Sequence, residues 1–118
     1  MRRVLLTLAL AAGAGGCNRA ETTRAPGRVV EVRIADYRYT PQSVSITRGR
    51  VTFAVTNAGR EPTNFRVRRG ETALASISTL DPGEYGTVTV DLRRGNYVMY
   101  SSVARNEALG EHGVLTVR

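Results

Sequence analysis

The sequence predicts an all-β domain, an antiparallel sandwich or barrel of about eight short strands. Three observations carry that expectation. Beyond Arg28 the apolar residues recur at every second position, the period of a half-buried strand. Turn-forming clusters separate these runs, and no stretch has a convincing helical spacing. A lone sheet would leave its apolar face in water, so two sheets must pack on each other. The 118 residues supply one domain at most, and 42% apolar against 23% charged marks a chain that folds. With no Trp and two Phe, the core has to come mostly from Val, Ile, Leu and Tyr.

Residues 1–16 read as a lipoprotein-type signal peptide. Arg2 and Arg3 form a positive start, Val4 to Ala14 an apolar run, and Ala14-Gly15-Gly16 a small-residue stretch. The run is well short of the ~20 residues a spanning helix needs. Cleavage before Cys17, the sole cysteine, resembles the bacterial lipoprotein lipobox. That resemblance implies a lipid on the Cys17 thiol, attachment to a membrane, and a place in the cell envelope outside the cytoplasm. Residues 17–27 follow as the lipidated Cys and a polar tether, with Pro26 and Gly27 and no periodicity.

The folded domain is expected over residues 28–118. Val30, Val32 and Ile34 alternate with Glu31, Arg33 and Ala35. Val44 and Ile46 repeat the pattern, as do Val51, Phe53 and Val55. Phe65 and Val67 alternate with Arg66 and Arg68, and Val88, Val90 and Leu92 with Thr87, Thr89 and Asp91. Tyr97 to Ser101 and Val114 to Val117 add two strands, and Ala73 to Thr79 a weaker one. Between them lie Arg48-Gly49-Arg50, Asn57-Ala58-Gly59, Arg69-Gly70-Glu71, Asp81-Pro82-Gly83 and Arg94-Gly95-Asn96, all turn chemistry.

Several segments, in order, resemble the cupredoxins, the blue-copper Greek-key family. Asp36-Tyr37 through Pro41, then Val44-Ser45-Ile46 and Gly49, resemble its opening strands. Asn57-Ala58-Gly59 followed by Asn64-Phe65 resembles its N-x-G…H-N-F segment. Leu80-Asp81-Pro82-Gly83-Glu84 and Gly95-Asn96-Tyr97-Val98-Met99-Tyr100 resemble its L-x-P-G…G-x-Y-x-Y-Y-C hairpin. Gly110-Glu111-His112-Gly113-Val114-Leu115 resembles the terminal G-M-x-G-x-L. The resemblance implies a Greek-key β-sandwich.

It also implies where a type 1 copper would be held: a His before N-F, a Cys after Y-Y, a His before the last loop and a Met in G-M. Here those positions read Thr63, Ser101, Asn106 and Glu111. The thiolate is the decisive loss, because the copper–sulfur bond underlies the colour and the tuned potential. Calcium or magnesium would want more carboxylates than Glu111 alone. The expectation is therefore no cofactor, with copper on non-standard ligands as the alternative. His112, one place past the Met position, is a weak metal candidate. The four changed residues should meet as a polar cluster and, if buried, bond to one another.

Composition removes other chemistries. One Cys excludes an internal disulfide framework, a zinc knuckle and a CxxC motif, and one His excludes a His-rich metal site. No Ser–His pair stands out, so no enzyme is expected. All 17 basic residues are Arg, against 10 acids, and loss of Arg2 and Arg3 lowers the net charge from +7 to +5. Outside the cytoplasm nucleic acid is not the expected polyanion; lipid headgroups and envelope polymers are. Arg66, Arg68 and Arg69 are candidates for contact with such a surface, or else a solvated strand face. The function these observations favour is a lipid-anchored, extracytoplasmic binding or structural module with an envelope protein as possible partner. The alternative is an envelope copper-binding or electron-transfer protein with unusual ligands.

Overall fold

Two β-sheets pack face to face around an apolar interior, in a computed structural model that describes residues 23–24 and 28–118. The expected signal peptide, Cys17 and most of the expected tether lie outside the described residues. In chain order the elements are β1 (Thr23–Arg24), β2 (Val29–Ala35), β3 (Arg38–Thr40), β4 (Ser43–Ile46), β5 (Gly49–Asn57), β6 (Thr63–Arg69), β7 (Thr72–Leu80), β8 (Tyr85–Leu92), β9 (Gly95–Tyr100), α1 (Asn106–Leu109) and β10 (His112–Val117). One sheet has the order β1-β4-β10-β9-β6-β7 and the other β3-β2-β5-β8.

The all-β sandwich is the expected one, with three differences in detail. The sheets are mixed rather than antiparallel throughout: β2 pairs β5, β4 pairs β10, and β1 pairs β4 in parallel. Parallel partners come from crossovers between the two sheets, which alternation along a strand does not report. Thr23 and Arg24, expected in the tether, lie against Val44 and Ser45, where β4 would otherwise present an unpaired edge. The third difference is α1, a single turn too short to carry a periodic signal.

Alternation sets which side chains face inward. Val30, Val32 and Ile34 of β2, Val51, Phe53 and Val55 of β5, Phe65 and Val67 of β6, and Leu115 and Val117 of β10 are all buried. Phe53 and Phe65 meet across the sandwich with ring centroids 5.4 Å apart, and Tyr39 extends the cluster at 6.0 Å from Phe65. Each such side chain contributes roughly 1.5–3 kcal/mol by leaving water. Arg28 closes the start of the domain: its guanidinium donates to Thr47 Oγ1 and to the carbonyls of Arg48 and Arg50.

The loops at one end of the sandwich are tied together. Asp36 and Tyr37, both at positive φ, make the two-residue turn between β2 and β3. Asn57, buried at the end of β5, donates through Nδ2 to the carbonyls of Glu61 and Leu80, and its Oδ1 accepts from Gly59 N–H. Gly110 ends α1 at φ +128°, and a Cβ there would sit 2.4 Å from the Tyr37 carbonyl oxygen. Only glycine allows the last loop to close onto the first turn.

Candidate functional site

Four side chains from four places in the chain meet under this loop end. Thr63 opens β6, Ser101 follows β9, Asn106 begins α1, and Glu111 precedes β10. All four are buried, at 2%, 1%, 7% and 5% exposure. The Thr63 hydroxyl donates to Glu111 Oε1 at 2.6 Å, a short bond of the kind a carboxyl acceptor favours. Ser101 Oγ lies 3.0 Å from Thr63 Oγ1 and 3.2 Å from Asn64 Oδ1, so its single proton has an acceptor on either side. Asn106 Nδ2 reaches the same Glu111 oxygen at 3.4 Å.

The backbone repeats these links. Ser101 N–H donates to Glu111 O, and Glu111 N–H donates to Asn106 O. Val103 N–H donates to Ser101 Oγ, which turns the chain toward α1. Asn64 joins from the outer side: its Oδ1 accepts from Ser102 N–H and its Nδ2 donates to Ser102 Oγ. The convergence expected of the four polar residues is therefore present. Asn64 is a member the sequence reading did not single out as a site residue. Asn64 was visible only as a neighbour of Phe65, and its partners lie 37 and 38 residues away.

Beside the cluster lies a cavity of about 160 Å³, whose lining includes Asp36, Tyr37, Arg60, Glu61 and Glu111. On the inner side stands Tyr39, buried, with a hydroxyl that has no hydrogen-bond partner among the described residues. Burial raises its pKa well above the usual phenol value, and the negative charges of Glu111 and then Glu107 add to the effect.

The remaining candidates are scattered. His112 is exposed at the start of β10, opposite Tyr100, and no group of three or more His, Cys, Asp or Glu suited to a metal exists among the described residues. Arg66 and Arg68 share the outer face of β6, with Phe65 and Val67 pointing inward. Arg68 is engaged: it pairs with Glu107 through two contacts of 2.9 and 3.3 Å and stacks 4.4 Å over the Tyr100 ring. The bonds to Glu107 hold its guanidinium above its ordinary pKa. Arg69 turns to Tyr97, a residue of the opposite sheet face. The three arginines thus do not form one free stripe. Arg66 has no such partner, and its Nε is shut from water with none among the described residues. No helix among the described residues is long and apolar enough to cross a membrane.

With this fold and loop end in place, the comparisons give the class of the protein. The family model of the cupredoxin-like domain matches residues 4–117, and the chain belongs to that family. Among solved structures it is similar to reduced auracyanin from the photosynthetic bacterium Roseiflexus castenholzii, at a TM-score of 0.71 and 17% identity over 80% of this chain and 99% of that one. Rusticyanin from Thiobacillus ferrooxidans gives 0.64 and 18% identity, covering 88% and 86%. A purple cupredoxin from Nitrosopumilus maritimus gives 0.59 and 22%, covering 75% and 99%. No curated protein sequence matches. At these identities the structural likeness speaks for the fold.

Proposed function

We propose that this chain is a lipid-anchored, extracytoplasmic cupredoxin-like module that binds or braces a partner in the cell envelope without a type 1 copper centre. The observation that carries the copper part is the chemistry of the four positions. Thr63, Ser101 and Asn106 offer neutral hydroxyl and amide groups, and Glu111 a hard carboxyl, where type 1 copper wants one thiolate and two imidazoles. Their hydrogen bonds at 2.6–3.4 Å use these groups on one another. Such a donor set does not fit the group. The anchor rests on the lipobox resemblance at Cys17, and envelope localisation follows from it. Of Arg66, Arg68 and Arg69, Arg66 is the one left to add contact with an anionic surface, since Arg68 and Arg69 have partners within the chain.

The competing reading, an envelope copper carrier on non-standard ligands, rests on the family: auracyanin A, to which the fold is similar, is a blue copper protein. One experiment separates the two. Purified protein titrated with Cu(II) should develop no intense thiolate-to-copper absorption and retain no copper after desalting. The variant combining Thr63→His, Ser101→Cys, Asn106→His and Glu111→Met should turn blue under the same titration. Tight copper binding by the unmodified protein would replace this reading with its competitor. A folded, colourless quadruple variant would show that the four positions are not the ligand positions. Anchoring is tested on the same preparation: Cys17→Ser should move the protein from the membrane to the supernatant.

A further inference from the structure

We propose that the outer face of the four-stranded sheet is a binding site for an uncharged oligosaccharide, with Tyr85 as its stacking platform. The register places Thr40, Arg33, Thr56 and Tyr85 in one unbroken row across β3, β2, β5 and β8. The neighbouring row is Glu31, Ala54 and Thr87. Side chains of both rows project to the same side, opposite the core. Tyr85 is 66% exposed, the most exposed of the large hydrophobic side chains among the described residues. It stands on a sheet face, not in a loop. Ala54, the small residue between them, leaves a trough of about 320 Å³ bounded by Glu31, Arg33, Thr40, Thr56 and Tyr85.

Three properties select the occupant. The first is size: about 300 Å³ is the lower end of small-molecule sites, enough for one or two sugar rings and too shallow to enclose a compact ligand. The second is charge. Glu31 and Arg33 are the two charged groups lining the trough and cancel there, while Arg38, Arg50 and Asp91 lie further out on the same face. The trough itself is therefore complementary to neither a polyanion nor a polycation. The third is the kind of group on offer. An aromatic ring lying open to water presents an apolar plane to the C–H face of a pyranose. Around it stand a guanidinium that only donates, a carboxyl that accepts, and hydroxyls that do both. Among the described residues neither Glu31 nor Arg33 has a side-chain hydrogen bond or ion pair, so both are free to pair with vicinal hydroxyls. An apolar protein surface would leave these polar groups unpaired, and a polyanion would meet Glu31.

The test uses the full chain, labelled with ¹⁵N and followed by NMR during titration with cellotetraose, chitotetraose and maltotetraose, with heparin as the charged control. At least one neutral tetrasaccharide should shift the amides of Arg33, Thr56 and Tyr85 at millimolar concentration, with little dependence on salt. Tyr85→Phe should keep that affinity, because the ring remains. Tyr85→Ala should weaken it by roughly tenfold. Both variants alter an exposed side chain, and an unchanged far-ultraviolet spectrum confirms that they fold. The proposal fails if none of the three neutral sugars shifts these amides. It also fails if Tyr85→Ala binds as well as the parent, or if only heparin binds and salt removes it.

Discussion

Val55 and Glu111 are both withdrawn from water, at 0% and 5% exposure, yet they are held in place by different physics. Val55 sits in the middle of the sandwich among side chains that share only contact and lost hydration. Glu111 sits at the loop end, in a network whose members are matched donor to acceptor. The apolar middle is non-directional, so it tolerates changes of shape and punishes charge. The polar end is directional, so losing one member strands the others, while losing a matched pair strands fewer. At this end the fold positions hydrogen bonds among Thr63, Ser101, Asn106 and Glu111.

The largest effect should come from breaking the middle. Val55→Asp places a charge with no partner in the core, at a cost comparable to the ~5–15 kcal/mol that holds a domain of this size. No cooperative thermal transition should be seen by circular dichroism. Thr89→Asp, on the exposed face of β8, should change stability by only about 0.5 kcal/mol. Equal tolerance at the two positions would mean that the assignment of inner and outer faces is inverted.

A smaller effect sharpens the contrast at the other end. Glu111→Leu removes the shortest acceptor of the Thr63 hydroxyl, leaving it the longer contacts to Ser101 Oγ and the Asn64 carbonyl, and takes the acceptor from Asn106 Nδ2. It should cost about 1–3 kcal/mol in denaturant unfolding. Thr63→Val should cost a similar amount. The double variant should cost clearly less than the two single losses added, because neither partner is then left stranded. Strict additivity would show that the two side chains do not depend on each other.

The inner and outer faces could be read from the sequence because strand period is local: Phe65 and Val67 announce their burial by alternating with Arg66 and Arg68. Thr63, Ser101, Asn106 and Glu111 were found by position within motifs that resemble a family. Their types alone would have left them as loop residues. What could not be read was whatever depends on a distant partner. Arg66, Arg68 and Arg69 look alike in sequence, but Glu107 lies 39 residues from Arg68 and Tyr97 lies 28 from Arg69. Tyr85 carried no signal either, because its meaning depends on the row formed with Thr56, Arg33 and Thr40 across three other strands.

The smallest effect tests the seam between the two regions, where Tyr39 belongs to both. Its ring packs in the apolar cluster beside Phe65, while its hydroxyl is buried without the partner that every member of the neighbouring network has. Tyr39→Phe keeps the ring and removes the stranded hydroxyl, so it should stabilise the domain by about 1 kcal/mol. The same exchange has a pH signature. Burial, with Glu111 and Glu107 behind it, raises the phenol pKa in the folded state above that of the unfolded chain. A raised pKa favours the protonated form, so this group carries no penalty in the folded state until the unfolded phenol begins to ionise near pH ~10. Above that pH the unfolded chain sheds a proton that the folded one retains, and stability falls. The difference in unfolding free energy between Tyr39→Phe and the parent should stay constant below pH ~10 and grow in favour of the variant above it. A variant less stable than the parent at neutral pH would show that the hydroxyl is satisfied after all, and that the polar network extends one residue further into the core.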